Sequence, residues 1–557
     1  MEQTIRDAVY TLYQQTPPVE LTRPEPTFGD FATNVALKLA KPLGKKPREI
    51  AEEVAAVLRQ TGQFSDVSVA GPGFINLRLS DAALWQAANT APQQIYGGMR
   101  YTLEYSCPNA FKELHTGHLY QTVYGDILAR IIESVGAAVD RASFGGDVGL
   151  HVAKCLWGMR HTLGGELPEK LTEVESDVFA RARWISQAYV IGAKAYEESE
   201  TAKQEIIEFN KLVYSYHEHD EHNTPLAQIY WTTRQWSLDY FDAFYTMIQV
   251  DHLDYIPESS TAPIGLAVVH EQLERGNLQR SEGAVVFVGD PAKHLHTRVF
   301  VTSNGLPTYE TKDIGVIWKE VADYHFDHRI LITGNDQKEY MRVVYAAAEL
   351  FRPELAGRMT HLTNGTVRFG DGSKMSSRLG NVARAADVLA IVQERVARLT
   401  ADPVVQRQVA LGAIKYAFAK YRMGNDIAFD MDETVSLQGN SGPYIQYAHA
   451  RACSILAKAS AEPAEPAEPT DCTDDERLLL RKLSEYPEVV EKAAREYLVH
   501  GICHYLYELA QEFNRFYEKN RVVGSPRQAE RLSLPQRYRD TLAAGLALLG
   551  IEAPERL

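Results

Sequence analysis

The chain has 557 residues, 45% of them hydrophobic, and 58 Lys and Arg against 73 Asp and Glu, a net charge of −15. That length is too great for one hydrophobic core and predicts roughly three or four domains, while five scattered cysteines without CxxC spacing argue against a disulfide framework or a cysteine zinc site. No apolar run approaches the ~18 residues of a membrane span, and the amphipathic start (Ile5, Val9, Leu12) is no signal peptide, so a cytoplasmic protein with reduced thiols and no membrane partner is expected.

In chain order, residues 1–100 read as a small α/β unit. Helical spacing over 34–39 and 47–58 precedes alternating strands at 67–69 and 74–79, which flank a Gly71-Pro72-Gly73 turn. Residues 101–399 read as a doubly wound α/β region with a parallel sheet. It opens on a strand over 101–105 that runs into His115-Thr116-Gly117-His118, and then into Leu119, Val123, Ile127 and Ile131 at helical spacing. Strand, loop, helix with a ligand at the carboxyl end of the strand is how such sheets bind nucleotides. A helical insertion spans about 148–254. Its His217-to-His222 run lacks the i, i+4 histidine pair of a zinc helix, so a solvated loop is expected and no metal site. Strand candidates at 284–288, 299–302 and 329–333 are expected to return to the sheet. They precede a glycine-flanked loop, 370–381, that carries Lys374-Met375-Ser376-Ser377-Arg378. Residues 400–557 are helical, broken by an AEP triplet at 461–469 that reads as an exposed low-complexity loop.

The two short motifs make joint sense as halves of one ATP-handling site. Joining a carboxylate to the α-phosphate of ATP builds negative charge on phosphorus while pyrophosphate departs, so donors and cations must face phosphate oxygens. His115 and His118 supply donors, Gly117 lets the backbone and the adenine ring approach closely, and the helix N-terminus favours anions. Lys374 adds a cation on a loop able to close. The plainer reading is that the histidines cap a helix and the lysine loop is merely solvated. In this order and setting, the pair resembles the signatures of class I aminoacyl-tRNA synthetases.

Further stretches resemble the arginyl-tRNA synthetase family over nearly the whole chain. They are Phe28 to Asn34 and Gly71 to Asn76 near the start; Glu104-Tyr105-Ser106-Cys107-Pro108-Asn109; Tyr309 to Gly315; Pro443 to Arg451; and Leu549 to Arg556. The resemblance implies arginine activation with Mg-ATP as substrate, transfer to tRNA(Arg), activation that depends on bound tRNA, and a monomer without a tightly bound cofactor. It assigns Glu104, Asp313 and Tyr309 to the guanidinium, and Ser106, Asn109 and Gln337 to the α-amino and carboxylate groups, with the register between Asp336 and Gln337 open. Gly146 and Asp147 would border the ATP ribose, and Met375, Ser376 and Ser377 would join Lys374 over the phosphates. It makes 1–100 a domain for the tRNA elbow, with Phe28 and Asn34 in contact, and 400–557 an all-α anticodon-binding bundle using Tyr444, Tyr447 and Arg451. The family's usual terminal methionine is Leu557 here, of similar bulk.

Chemistry supports arginine independently. A guanidinium is a planar fork of five donors whose natural partners are carboxylates, and Glu104 and Asp313 flank the expected site. The alternative is that Glu104 makes a structural ion pair and Asp313 caps a helix. The acidic net charge does not exclude RNA, because affinity depends on local basic patches. Between 515 and 539, Arg515, Lys519, Arg521, Arg527, Arg531, Arg537 and Arg539 face only Glu518 and Glu530, with Phe516, Tyr517 and Tyr538 interleaved. Arg515, Tyr517 and Arg521 are the expected RNA contacts there. Three other readings are a class I synthetase for lysine or glutamate, a small-metabolite nucleotidyltransferase, and a non-catalytic tRNA-binding relative.

Overall fold

The computed structural model describes residues 1–369, 384–459 and 467–557. At its centre are five parallel strands: β1 (Arg100–Glu104), β2 (Ala138–Gly145), β3 (Asp254–Pro257), β4 (His328–Gly334) and β5 (Met359–Asn364). Their spatial order is β5-β4-β1-β2-β3. In β1 every residue after Arg100 is buried, as expected for a parallel strand covered on both faces. The crossover from β1 to β2 runs through helix α1 (Thr116–Ser134), whereas β4 pairs on the other side of β1. The chain therefore diverges between β1 and β4 and leaves a crevice beyond their carboxyl ends.

Only one of the three returning strand candidates joins this sheet. Ala284–Phe287 and Arg298–Val301 pair antiparallel with each other, and Gln279–Ser281 completes a separate three-stranded sheet. The short link between the first two explains the difference: a parallel return needs a crossover of about a dozen residues or more, usually a helix. The insertion is helical as expected, with helices Leu150–Leu163, Val178–Glu198, Glu200–Glu218 and Pro225–Met247. Within it, His217 contacts the Tyr230 hydroxyl at 2.6 Å and the Trp231 ring, while His222 meets Asp220 at 2.9 Å.

The amino-terminal unit is a four-stranded antiparallel sheet containing Phe64–Ala70 and Phe74–Leu79, with helices Glu2–Tyr13, Val35–Leu43 and Pro47–Arg59. Asp30, in the Phe28-to-Asn34 stretch, is buried and accepts from Leu79 N at 2.8 Å and from Arg477 at 3.0 Å. Arg477 also pairs with Asp81, so a buried guanidinium ties the amino-terminal unit to helix Asp474–Leu483 of the carboxyl-terminal bundle. That bundle further contains Pro403–Ala419, Gly442–Ala459, Tyr486–Glu496, Val499–Lys519 and Gln528–Leu548. Its first helix starts where the sequence signals it: Asp402 accepts from Val404 N at 2.8 Å and Pro403 takes the first turn. A short parallel pair, Val367–Phe369 with Ile427–Phe429, joins the bundle to the α/β region. Among the described residues, no helix is long and apolar enough to cross a membrane.

Candidate active site

Beyond β1 the backbone turns sharply, with Ser106 (φ 70°) and Cys107 (φ 47°) both in the left-handed region that side chains disfavour. The turn lays the following loop onto the end of β2, where Gly145 is required: a Cβ there would lie 1.9 Å from the Pro108 carbonyl oxygen. The exposed Asn109 side chain then accepts from Gly146 N at 2.9 Å. Ser106 is fully buried and its Oγ meets Tyr245 at 3.0 Å and Thr122 at 2.8 Å, so it braces the turn rather than lining the crevice. Asp147 is likewise buried and engaged by Arg234 and Ser259, each at 2.8 Å.

The loop ends at His115, which caps α1. Its Nδ1 accepts from Gly117 N at 3.0 Å and from His118 N at 3.4 Å, while His118 Nδ1 accepts from His115 N at 3.2 Å. This reciprocal capping box satisfies N–H groups that a helix start leaves free. It also selects the tautomer: with both Nδ1 atoms accepting, each neutral ring carries its proton on Nε2. The rings stack at 3.8 Å. Desolvation, followed by neighbouring charge from Lys112 and, for His118, from His115, holds both below the usual histidine value. Two neutral Nε2–H donors thus stand at a helix N-terminus, where anions are favoured. Gly117 serves this cap directly, since a Cβ there would sit 2.8 Å from the His115 ring. Capping and donation to a ligand are compatible, because they use opposite edges of each imidazole.

Across a crevice of about 1050 Å³ lies an acidic end. Glu104 and Asp313 both line it, as do His115, Gly117, His118, Tyr309 and both Asp336 and Gln337. Tyr309 is 70% exposed at the start of helix α2 (Tyr309–Tyr324), one turn before Asp313. Asp313 accepts a hydrogen bond from the Tyr340 hydroxyl, and burial pushes its carboxyl up to about 7 despite that bond. Glu104 is 3% exposed and bonded to Arg329 of β4, whose guanidinium also donates to Glu320 at 2.5 Å and to Tyr345 at 2.8 Å. Burial raises Glu104 and pushes Glu320 up to about 8, with Arg329 opposing both shifts. Glu104 and Glu320 therefore share Arg329, while Asp313 is held by Tyr340, and Arg298, 3.7 Å from Glu310, also lines the crevice. Arg329 and Glu320 escape the motifs, although a lone arginine heading the apolar run Ile330-Leu331-Ile332 is the signal that points to such a pair. Lys374, Met375, Ser376 and Ser377 lie outside the described residues.

The carboxyl-terminal candidates divide. Tyr444, Tyr447 and Arg451 share one face of helix Gly442–Ala459. Asn514 links the Tyr444 hydroxyl (3.2 Å) to Arg451 (3.0 Å), the Arg451 guanidinium lies over Tyr517, and Tyr447 is 44% exposed. Leu557 packs, partly buried, on the main core. Much of the basic 515–539 stretch is instead consumed internally. Arg527 and Arg531 both pair with the buried Glu476, Lys519 with Asp475, Arg515 with Glu512 and Arg539 with Asp540, while Arg537 donates to the Ala88 carbonyl. Glu476 and Asp475, brought in from another helix and invisible in the local stretch, engage Arg527, Arg531 and Lys519, whereas Glu512 and Asp540 lie on the same helices as their partners. Arg521 is exposed and holds only the Val523 carbonyl at 2.9 Å. In the amino-terminal unit Phe28 is 56% exposed and Asn34 contacts Glu20 at 3.2 Å.

Comparison with known sequences and structures agrees with this geometry. Residues 1–79 match the arginyl tRNA synthetase N terminal domain, 82–431 the class I (R) tRNA synthetase catalytic domain, and 445–557 the DALR anticodon binding domain. The chain is similar to the arginine–tRNA ligase of Frankia casuarinae, with 32% identity over 95% of this chain and 93% of that one. It is also similar to that of Thermobifida fusca, with 31% identity over 98% and 96%. The solved arginyl-tRNA synthetase of Thermus thermophilus superposes with a TM-score of 0.81 at 26% identity, covering 100% of this chain and 99% of that one. The chain belongs to the class I arginyl-tRNA synthetases, the enzymes that ligate arginine to tRNA at the expense of ATP.

Proposed function

We propose that the two ends of the crevice divide the activation step between them. The observation that carries this reading is the opposition, within one crevice, of two Nε2–H donors on the α1 N-terminus to the Glu104 and Asp313 carboxyls. Glu104 and Asp313 take the guanidinium, with Tyr309 beside it. Asn109 and Gln337 hold the α-amino and carboxylate groups, and Ser106 supports them from behind the turn. The arginine carboxylate attacks the α-phosphorus of Mg-ATP, forming the carboxyl–phosphate bond as the bond to pyrophosphate breaks. His115, His118 and Lys374 stabilise the charge that develops. A hydroxyl of the terminal tRNA ribose then attacks the carbonyl carbon and AMP leaves. No protein nucleophile is required.

The tRNA contacts are assigned to Tyr444, Tyr447, Arg451, Arg515, Tyr517, Arg521 and Leu557 at the anticodon side, and to Phe28 and Asn34 in the amino-terminal domain. We read the enzyme as a cytoplasmic monomer whose first step requires bound tRNA. A route for that dependence is supported by Lys415, which is buried and donates to the Gln249 carbonyl (3.0 Å) at the end of the insertion and to the Gly550 carbonyl (2.7 Å) near the chain terminus. Pyrophosphate exchange with each amino acid, with and without tRNA, tests the assignment. Exchange is expected with arginine and only when tRNA is present. Exchange with lysine or glutamate instead of arginine refutes the guanidinium site, and exchange without tRNA refutes the dependence alone.

A further inference from the structure

We infer that Arg329 is a specificity-determining positioning residue that occupies one oxygen of Glu104 and leaves the other for the substrate guanidinium. The inference deepens the proposed arginine site and rests on it. Arg329 lies in the middle of the acidic end, 1% exposed, and its three donor nitrogens each have a separate partner: Glu320, Tyr345 and the Oε2 of Glu104. Among the described residues, the donor to Glu104 Oε1 is the weak Cys107 thiol, at 3.6 Å; the Glu320 carboxyl also lies against the Glu104 side chain, and Glu104 lines the crevice. A carboxylate accepts on two oxygens. With one oxygen committed internally, Glu104 is locked in rotation and offers a single directed acceptor to the substrate.

The charge balance points the same way. Glu104 and Glu320 both bond Arg329, and the nearby Asp313 acts on Glu104 by like charge, so a second guanidinium entering beside Asp313 balances the cluster better. A buried carboxylate without a partner is costly and tends to hold its proton. Arg329 opposes that cost and so favours the ionised form of Glu104 ahead of substrate arrival, which lowers the cost of binding. Besides Arg329, the groups facing Glu104 are Cys107 on its own loop, Asp313 and Glu320 on α2, and Tyr345 on helix Lys338–Phe351. Tyr340, on that same helix, faces Asp313, and His361 on β5 faces Arg329.

Kinetics of the full-length enzyme with tRNA test this in Arg329→Met, Arg329→Lys and Glu320→Gln, beside Asp313→Asn as a reference for the arginine site itself. In Arg329→Met, the arginine KM should rise about tenfold or more while the ATP KM stays within about twofold. Its arginine KM should keep falling with rising pH beyond the point where the wild-type value has levelled, because Glu104 must now be ionised by base rather than by Arg329. Arg329→Lys should restore the wild-type pH profile but not the full affinity, since one ammonium cannot reproduce the fork. Glu320→Gln, a change of charge without bulk, leaves Arg329 bonded to Glu104 as its one carboxylate partner, so the arginine KM should hold within about twofold of wild type. Arg329→Lys carries the test if Arg329→Met does not fold. Parallel losses for arginine and ATP in Arg329→Met, or in Arg329→Lys where it alone folds, overturn the inference. If Asp313→Asn raises the arginine KM while these variants do not, the inference fails and the arginine site stands. If Asp313→Asn also leaves it unchanged, the arginine site itself has failed.

Discussion

Replacing Asp313 with asparagine removes a charge while keeping shape and one acceptor oxygen. In the wild type its carboxyl is partly buried, accepts from Tyr340 and is pushed up to about 7. A charge-assisted hydrogen bond is worth about 1.5–3 kcal/mol, and losing one partner of a fully buried pair costs about 3–5 kcal/mol. With partial exposure, about 2–3 kcal/mol is expected, a rise of about 30- to 150-fold in arginine KM. The ATP KM should move less than about twofold. The pH dependence adds a second readout. Guanidinium binding needs the carboxylate, so below about pH 7 arginine must displace a proton, and the wild-type KM should rise by up to about tenfold per pH unit there and level off above. Asparagine has no such proton, so the profile of the variant should be flatter. Stability moves oppositely. A carboxyl raised in the folded state binds more protons there than in the unfolded chain between about pH 4 and 7, so stability falls with rising pH across that window. At pH 8 the substrate-free variant should therefore melt at least about 2 °C above wild type. Pyrophosphate exchange with tRNA present, titrated in each substrate, gives the KM values, and calorimetry gives the melting temperature. Equal losses for arginine and ATP, or a lower melting temperature with an unchanged pH profile, refute the reasoning.

His115→Asn and His115→Ala separate capping from catalysis. Asparagine is a good N-cap, so it should hold stability within about 0.5 kcal/mol while alanine loses about 1 kcal/mol, yet both should lower kcat in exchange by about 10²-fold or more through loss of the Nε2 donor; full activity in His115→Asn would reduce the histidine to a cap. Tyr447→Ala and Arg451→Ala should each raise the tRNA KM in aminoacylation by the equivalent of about 1–3 kcal/mol with no change for arginine in a tRNA-saturated assay, and an unchanged tRNA KM would remove that helix face from the interface. Arg531→Met should do the reverse: it strips one of two guanidiniums from the buried Glu476, which keeps Arg527, and should destabilise by about 1.5 kcal/mol in denaturant melts, while the tRNA KM stays within about twofold; a tenfold rise at unchanged stability would place Arg531 on the RNA surface.

The elements that carry local periodicity were legible in the sequence. The strand before His115, the helix after it and the Gly71-Pro72-Gly73 hairpin appear as the residue pattern dictates, and the capping alternative for the histidines and the ion-pair alternative for Glu104 both describe real bonds. What escaped the sequence is what only long-range contact decides. Glu104 and Arg329 are 225 positions apart, and nothing local to either indicates that β1 and β4 become neighbours. The internal pairing of Arg527, Arg531 and Lys519 was hidden for the same reason, because Glu476 and Asp475 arrive from another helix, while Arg515 and Arg521 stay exposed. The antiparallel hairpin containing Ala284–Phe287 was legible in principle, since its link is too short for a parallel return.

With Glu104 and Asp313 assigned to the guanidinium as proposed, the arrangement of charge would also set which way round arginine binds. A free amino acid of this kind has a guanidinium at one end and an α-carboxylate at the other, and the crevice distinguishes them electrostatically. Reversed binding would place the carboxylate against Glu104 and Asp313, where like charges in a desolvated site repel strongly, and would leave the guanidinium before a helix N-terminus that favours anions. The forward orientation satisfies both ends and brings the carboxylate toward the His115 and His118 donors. Selection against lysine then rests on geometry rather than charge. A single ammonium cannot bridge one directed oxygen of Glu104 and the Asp313 carboxylate as a planar fork does, so an acid would be left buried and under-bonded, and that deficit is what discriminates.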